Sequence, residues 1–114
     1  MRVTSSLWVG AYVRRCQVEG AFAVVVRRGA EEAGAILVIV DRLDGFSDLY
    51  APAPQSLFDD AHPADRRFQR VAESAPADEI QQAIDRQTRF DSDVWIVAVE
   101  DRKGRPFLDL ADED

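Results

Sequence analysis

The sequence predicts an α+β domain in which two helices flank a mostly antiparallel sheet of about four to five strands. The expected order is an N-terminal helix, a three-stranded meander, a second helix and a C-terminal strand. Three observations support it. Residues 21–27 and 35–43 are rich in β-branched side chains and apolar on both alternating phases, as strands with cover on two sides are. The strand-like segments up to residue 50 follow one another through short connections, which favours antiparallel pairing over a doubly wound parallel sheet. Two further stretches, one at each end of this run, carry apolar residues at helical spacing.

The elements follow in order. Ser5 or Ser6 can cap a first helix, because a Ser oxygen accepts a hydrogen bond from an otherwise unpaired amide. Val9, Tyr12, Val13 and Cys16 then share one face, and Gly20 suits the helix end. Residues 21–27 and 35–43 are the first two strands, joined by a loop at 29–34. Asp44-Gly45 reads as a two-residue hairpin turn, which needs positive φ twice, and residues 46–50 return as the third strand. Residues 51–65, with Pro52, Pro54 and Pro63, read as a crossing loop, which in a monomer folds over an uncovered sheet face with Leu57 and Phe58 as plugs. Residues 67–72 form a short edge strand whose apolar positions, Phe68 and Val71, are out of phase for one face. Pro76 suits the first position of the second helix, with Asp78 and Glu79 where the helix dipole favours anions. Ile80, Ala83, Ile84 and Gln87 form its narrow inward stripe. Residues 94–99 are the last strand, with Trp95, Val97 and Val99 on one phase, before the turn Asp101-Arg102-Lys103-Gly104. Phe107-Leu108 pairs briefly, and 109–114 is a frayed acidic tail of a single domain spanning 1–114.

Composition narrows the function. The chain has 114 residues and a net charge of −7, which argues against nucleic acid as a partner, since a basic face supplies most of that affinity. It argues equally against docking on an anionic membrane surface. The apolar run at 7–13 is followed at once by Arg14-Arg15, unlike a secretion signal, and a cytoplasmic location is expected. Cys16 is the only cysteine, so no intramolecular disulfide or cysteine-based zinc cluster can form. On the inward face of a helix its thiol is inert.

The usual catalytic and cofactor patterns are missing. His62 is the only histidine, and it stands among Asp59, Asp60 and Asp65, a set that reads as a solvated acidic loop without Ca²⁺-loop spacing. The sequence lacks both the phosphate-binding Gly-x-x-x-x-Gly-Lys-Ser/Thr pattern and the dinucleotide Gly-x-Gly-x-x-Gly pattern. Asp91 and Asp93 flank the entry to the last strand, and Asp91 reads as ending the helix and opening a turn rather than as half of a catalytic carboxylate pair. No catalytic residue, metal or cofactor is expected.

Three blocks of sequence are familiar in their order and spacing. The first is Leu7-Trp8-Val9 with Arg14-Arg15-Cys16; the second is Val26-Arg27-Arg28-Gly29 with Ala33-Gly34. The third is Asp91-Ser92-Asp93-Val94-Trp95, running into Glu100-Asp101-Arg102-Lys103-Gly104-Arg105. With them the chain resembles, over nearly its whole length, an alphaproteobacterial family of proteins of about this size catalogued as a domain of unknown function. The resemblance supports a single domain and implies no activity.

What remains is arginine, thirteen residues against one lysine. Arg14 and Arg15 lie on the first helix, Arg27 and Arg28 end the first strand, and Glu100, Asp101 and Arg102 end the last. With suitable register the last two groups meet at one end of the sheet. There they form either a cross-strand ion-pair network or a patch that recognises carboxylates and other oxyanions, which a guanidinium fork fits. Two functions follow. One is a non-enzymatic protein-interaction module that binds a protein through its sheet edge or the arginine patch, as a homodimer in one form, which buries an outer strand or part of a sheet face that two helices leave uncovered. The alternative is a small-ligand or enzymatic domain that holds an anionic ligand in an arginine/carboxylate cleft.

Overall fold

Among the described residues, two helices and five strands form in the order α1 (Ser5–Val18), β1 (Phe22–Arg27), β2 (Ile36–Asp41), β3 (Phe46–Pro52), β4 (Phe68–Pro76), α2 (Ala77–Phe90) and β5 (Trp95–Glu100). The computed structural model describes residues 3–54 and 66–111. The strands make one mixed, mostly antiparallel sheet in the order β1-β5-β2-β3-β4. The class is α+β, as expected.

The order corrects the meander. β2 and β3 do form the expected antiparallel hairpin, but β5 inserts between β1 and β2, antiparallel to the first and parallel to the second. The connection from β1 to β2 can step over β5 because it is eight residues long; skipping one strand requires a span of about 10 Å. It passes close to the start of β5: the Ala30 amide donates to the Asp93 carbonyl at 2.9 Å, and the Trp95 indole donates to the Ala30 carbonyl at 2.8 Å.

Position in the sheet explains the two apolar phases. β2 and β5 are inner strands with a helix on each side. Ile36, Val38, Val40, Trp95, Val97 and Val99 pack with Val9, Tyr12 and Cys16 of α1. Leu37 and Ile96 pack on the other side with Ile80 and Ile84 of α2. Gln87, expected in that stripe, is exposed. β1 has the same composition but is an edge strand. Its Ala23 and Val25 join the α1 side, whereas Phe22 and Val24 are exposed.

Several boundaries also move. The cap of α1 is Thr4, whose hydroxyl accepts from the Leu7 amide at 3.2 Å. Ser5 is unavailable for this because its buried hydroxyl donates to the Gly34 carbonyl at 2.7 Å. The hairpin loop is three residues, 43–45, closed by the Arg42 amide on the Phe46 carbonyl, with positive φ at Leu43 and Gly45 rather than at Asp44. Ala51 and Pro52 continue β3, and the edge strand expected at 67–72 runs on to Pro76, which sits at the cap position of α2. Residues 55–65, including Leu57, Phe58, Asp59, Asp60, His62 and Asp65, lie outside the described residues. Asp109 to Ala111 do not fray: Phe68 donates to the Asp109 carbonyl, and Ala111 donates to that of Phe68, both at 2.9 Å. It is Leu110, not Phe107-Leu108, that bridges to Phe68. Phe107 and Leu108 pack against the α1-side core instead.

Candidate interaction surface

The antiparallel pairing of β1 with β5 decides the fate of the arginine/carboxylate cluster. Phe22 pairs with Glu100 and Arg27 with Ile96, so Arg27 and Arg28 stand at the opposite end of the two strands from Glu100, Asp101 and Arg102. Five residue steps separate the ends, roughly 16 Å. The two groups therefore do not meet. Arg27 donates to the Ser92 carbonyl at 3.0 Å, and the Arg28 guanidinium lies over the Trp95 ring, 5.0 Å from its centroid. Asp101 is buried and bound to Arg105, a residue outside the expected set, through Nε at 3.1 Å and Nη2 at 2.8 Å. That ion pair holds the Asp101 carboxyl below the usual carboxylate range. Glu100 and Arg102 are exposed. Arg14 and Arg15 are exposed on α1, along a shallow groove floored by Gly10 and Ala11.

A cavity of about 480 Å³ opens elsewhere, beside the start of α1, lined among others by Thr4, Glu32, Pro52, Arg66 and Arg67. Its polar groups are largely engaged within the chain. Arg66 Nη2 donates to the Val3 carbonyl at 2.8 Å and Arg67 Nη2 to that of Leu110 at 3.1 Å. The first amides of α1 are also taken: Ser5 donates to Glu32 O at 3.0 Å and Ser6 to Glu31 O at 2.9 Å. Among the described residues, no group of three or more His, Cys, Asp or Glu side chains could hold a metal ion. Burial raises the thiol of Cys16 above its ordinary range, which disfavours the nucleophilic thiolate. No described helix is long and apolar enough to cross a membrane.

The two edges of the sheet differ sharply. β4 is guarded: it has two register irregularities, carries Gln69, Arg70 and Glu73 exposed, and ends in Pro76. These are the devices by which natural edge strands avoid pairing. β1 carries three large apolar side chains in solvent, Phe22 at 59%, Val24 at 44% and Val26 at 60% exposure. Its charges are confined to the Arg27-Arg28 end, and its one irregularity falls between Val25 and Arg27. Sequence reading missed this surface because it took the two-phase apolarity of residues 21–27 as cover on both faces, whereas Phe22, Val24 and Val26 are exposed.

The fold recurs in solved structures. A protein from A. tumefaciens, determined in solution, is 41% identical with a TM-score of 0.86, covering 100% of this chain and 98% of that one. The crystal structure, at 1.87 Å, of a DUF1491 family protein from Caulobacter crescentus CB15 is 34% identical with a TM-score of 0.78, over 98% of this chain and 100% of that one. An NMR structure of a DUF1491 family protein from the same strain is also 34% identical with a TM-score of 0.78, over 98% and 99%. No curated protein matches the chain. A family profile described as protein of unknown function matches residues 3–109. With the shared fold and the expected three blocks inside that span, the chain belongs to the DUF1491 family.

Proposed function

We propose that this protein is a cytoplasmic, non-enzymatic protein-interaction module that docks a polypeptide along β1. The observation behind this reading is the unguarded edge: Phe22, Val24 and Val26 stand in solvent on a strand whose outer side has no neighbour in the sheet among the described residues. A peptide in extended conformation adds to such an edge by main-chain hydrogen bonds, and alternate side chains supply specificity. Nucleic acid is not the partner, given the net charge of −7. No labelled duplex or single strand should bind at physiological salt.

The test is a photo-crosslinking residue at Phe22 in the living host, with the same residue at Gln81 of α2 as control. An adduct to a polypeptide is expected at position 22, absent at 81, and suppressed when Val24→Lys is added. Equal yields at both positions, or none at 22, would overturn the reading.

The cavity beside α1 supports a second reading, an anionic ligand held by Arg66 and Arg67. It ranks below the first because both guanidiniums are already bound to backbone carbonyls. Chemical shifts around Thr4 and Glu32 that move on adding phosphate or citrate would raise it.

A further inference from the structure

We propose that the polypeptide taken up by β1 is β1 of a second copy, paired antiparallel about a two-fold axis through Val24, so that two five-stranded sheets join into one. The proposal rests on the edge of β1 being the docking surface. Two properties of the strand point to its own copy.

The first is self-complementarity in register. An antiparallel pair related by a two-fold axis normal to the sheet keeps the two faces distinct, so a residue must meet one of its own phase. With Val24 opposite Val24, Ala23 meets Val25, and Phe22 comes to Val26, the residue at which the register of β1 shifts against β5. Phe22 and Val24, exposed on the α2 side of the sheet, then line up with their copies in one apolar strip. On the other side the small Ala23 is matched by the larger Val25, both already part of the α1-side core. A shift by one residue would set Phe22 against Arg27.

The second is charge. Arg27 and Arg28 stand at one end of β1; Glu100, across from Phe22, and Glu19, which caps α1, stand at the other. Antiparallel pairing brings the basic end of each copy to the acidic end of the other, whereas parallel pairing would set arginines beside arginines. Two copies at −7 repel at long range, and salt screens that repulsion. The opposed ends select the orientation. A six-residue pairing buries less than the roughly 800 Å² per partner of a standard stable interface, so dimer and monomer exchange.

The test uses the full chain. Light scattering after size exclusion, from micromolar to millimolar loading, should show the mass rising from 12.8 kDa toward twice that value. Val24→Lys should hold it at 12.8 kDa with an unchanged melting temperature, because Val24 is not in the core. Val24→Cys should give a disulfide-linked dimer with oxidised glutathione, while Val71→Cys, exposed on the guarded edge β4, should not. A monomer at every concentration sinks the self-pairing. So does a dimer that survives Val24→Lys, or one that cross-links at 71 as readily as at 24. If the wild type is monomeric yet Phe22 still cross-links to another polypeptide in the host, docking along β1 stands and only the choice of partner fails. If neither occurs, both fail.

Discussion

The Asp101 carboxylate accepts three hydrogen bonds from Arg105: the backbone amide at 2.8 Å and Nε at 3.1 Å reach Oδ2, and Nη2 at 2.8 Å reaches Oδ1. The pair closes the turn after β5, with Gly104 at positive φ between them. Since these bonds lower the carboxyl's folded pKa, they contribute stability that is present above the unfolded value of about 3.9 and lost as pH falls through the folded one. Asp101→Asn should therefore lower the melting temperature at pH 7, and the gap to wild type should narrow as pH drops below about 4. A gap that stays constant down to pH 2 would show that the charge on Asp101 contributes nothing.

Two glycines should respond to alanine in opposite directions. At Gly29 a Cβ would collide with the Asp93 carbonyl oxygen and come within 2.7 Å of Trp95 Cδ1, where the β1–β2 connection crosses β5. The cost should be about 1–3 kcal/mol, as for other overpacked sites. Gly10 lies on the outer side of α1 with nothing within 4 Å of its would-be Cβ. Gly10→Ala should add about 0.5–1 kcal/mol from helix propensity. Urea denaturation of both variants checks the pair, and a stabilising Gly29→Ala would show that the connection does not cross so closely.

Asp48 is fully buried in β3 and connects that strand to its neighbour. Its Oδ2 accepts from Arg42 Nε and Nη2 at 3.1 and 2.7 Å, and its Oδ1 accepts at 2.7 Å from the amide of Ser74, a residue at φ 46°. Asp48→Ala should cost about 2–4 kcal/mol, because it strands a part-buried amide and a half-covered guanidinium together. A loss below about 0.5 kcal/mol, the scale of an ordinary surface change, would contradict this account of Asp48.

Cys16 has no exposed surface, and its thiol is raised by burial. A thiol reagent at neutral pH should modify it far more slowly in the folded protein than in denaturant. Comparable rates would place the sulfur at the surface and reopen nucleophilic chemistry.

How much was legible in the sequence depended on the range of the interactions involved. Helical spacing at Val9, Tyr12 and Cys16, and the anions at Asp78 and Glu79 in the first turn of α2, are local patterns, and both helices lie where they indicated. Both-phase apolarity in residues 35–43 identified an inner strand. In residues 21–27 the same pattern belongs to an edge, because a side chain's phase does not record whether a neighbour lies above it. The arginine set at 27–28 and the acids at 100–101 could be paired only by knowing register, and antiparallel pairing sent them to opposite ends.

By itself the sequence determined the two helices and the inward face that carries Cys16, since spacing and capping act within a turn or two of the chain, and the blocks that mark the family can be read off it directly. Only the tertiary structure decided that β5 enters between β1 and β2. That choice depends on eight connecting residues arching over Asp93, and on Trp95, Val97 and Val99 finding α1 on one side while Ile96 finds α2 on the other. With β5 in that place, the neighbour of β1 among the described residues is β5 rather than β2, and Phe22, Val24 and Val26 stand in solvent.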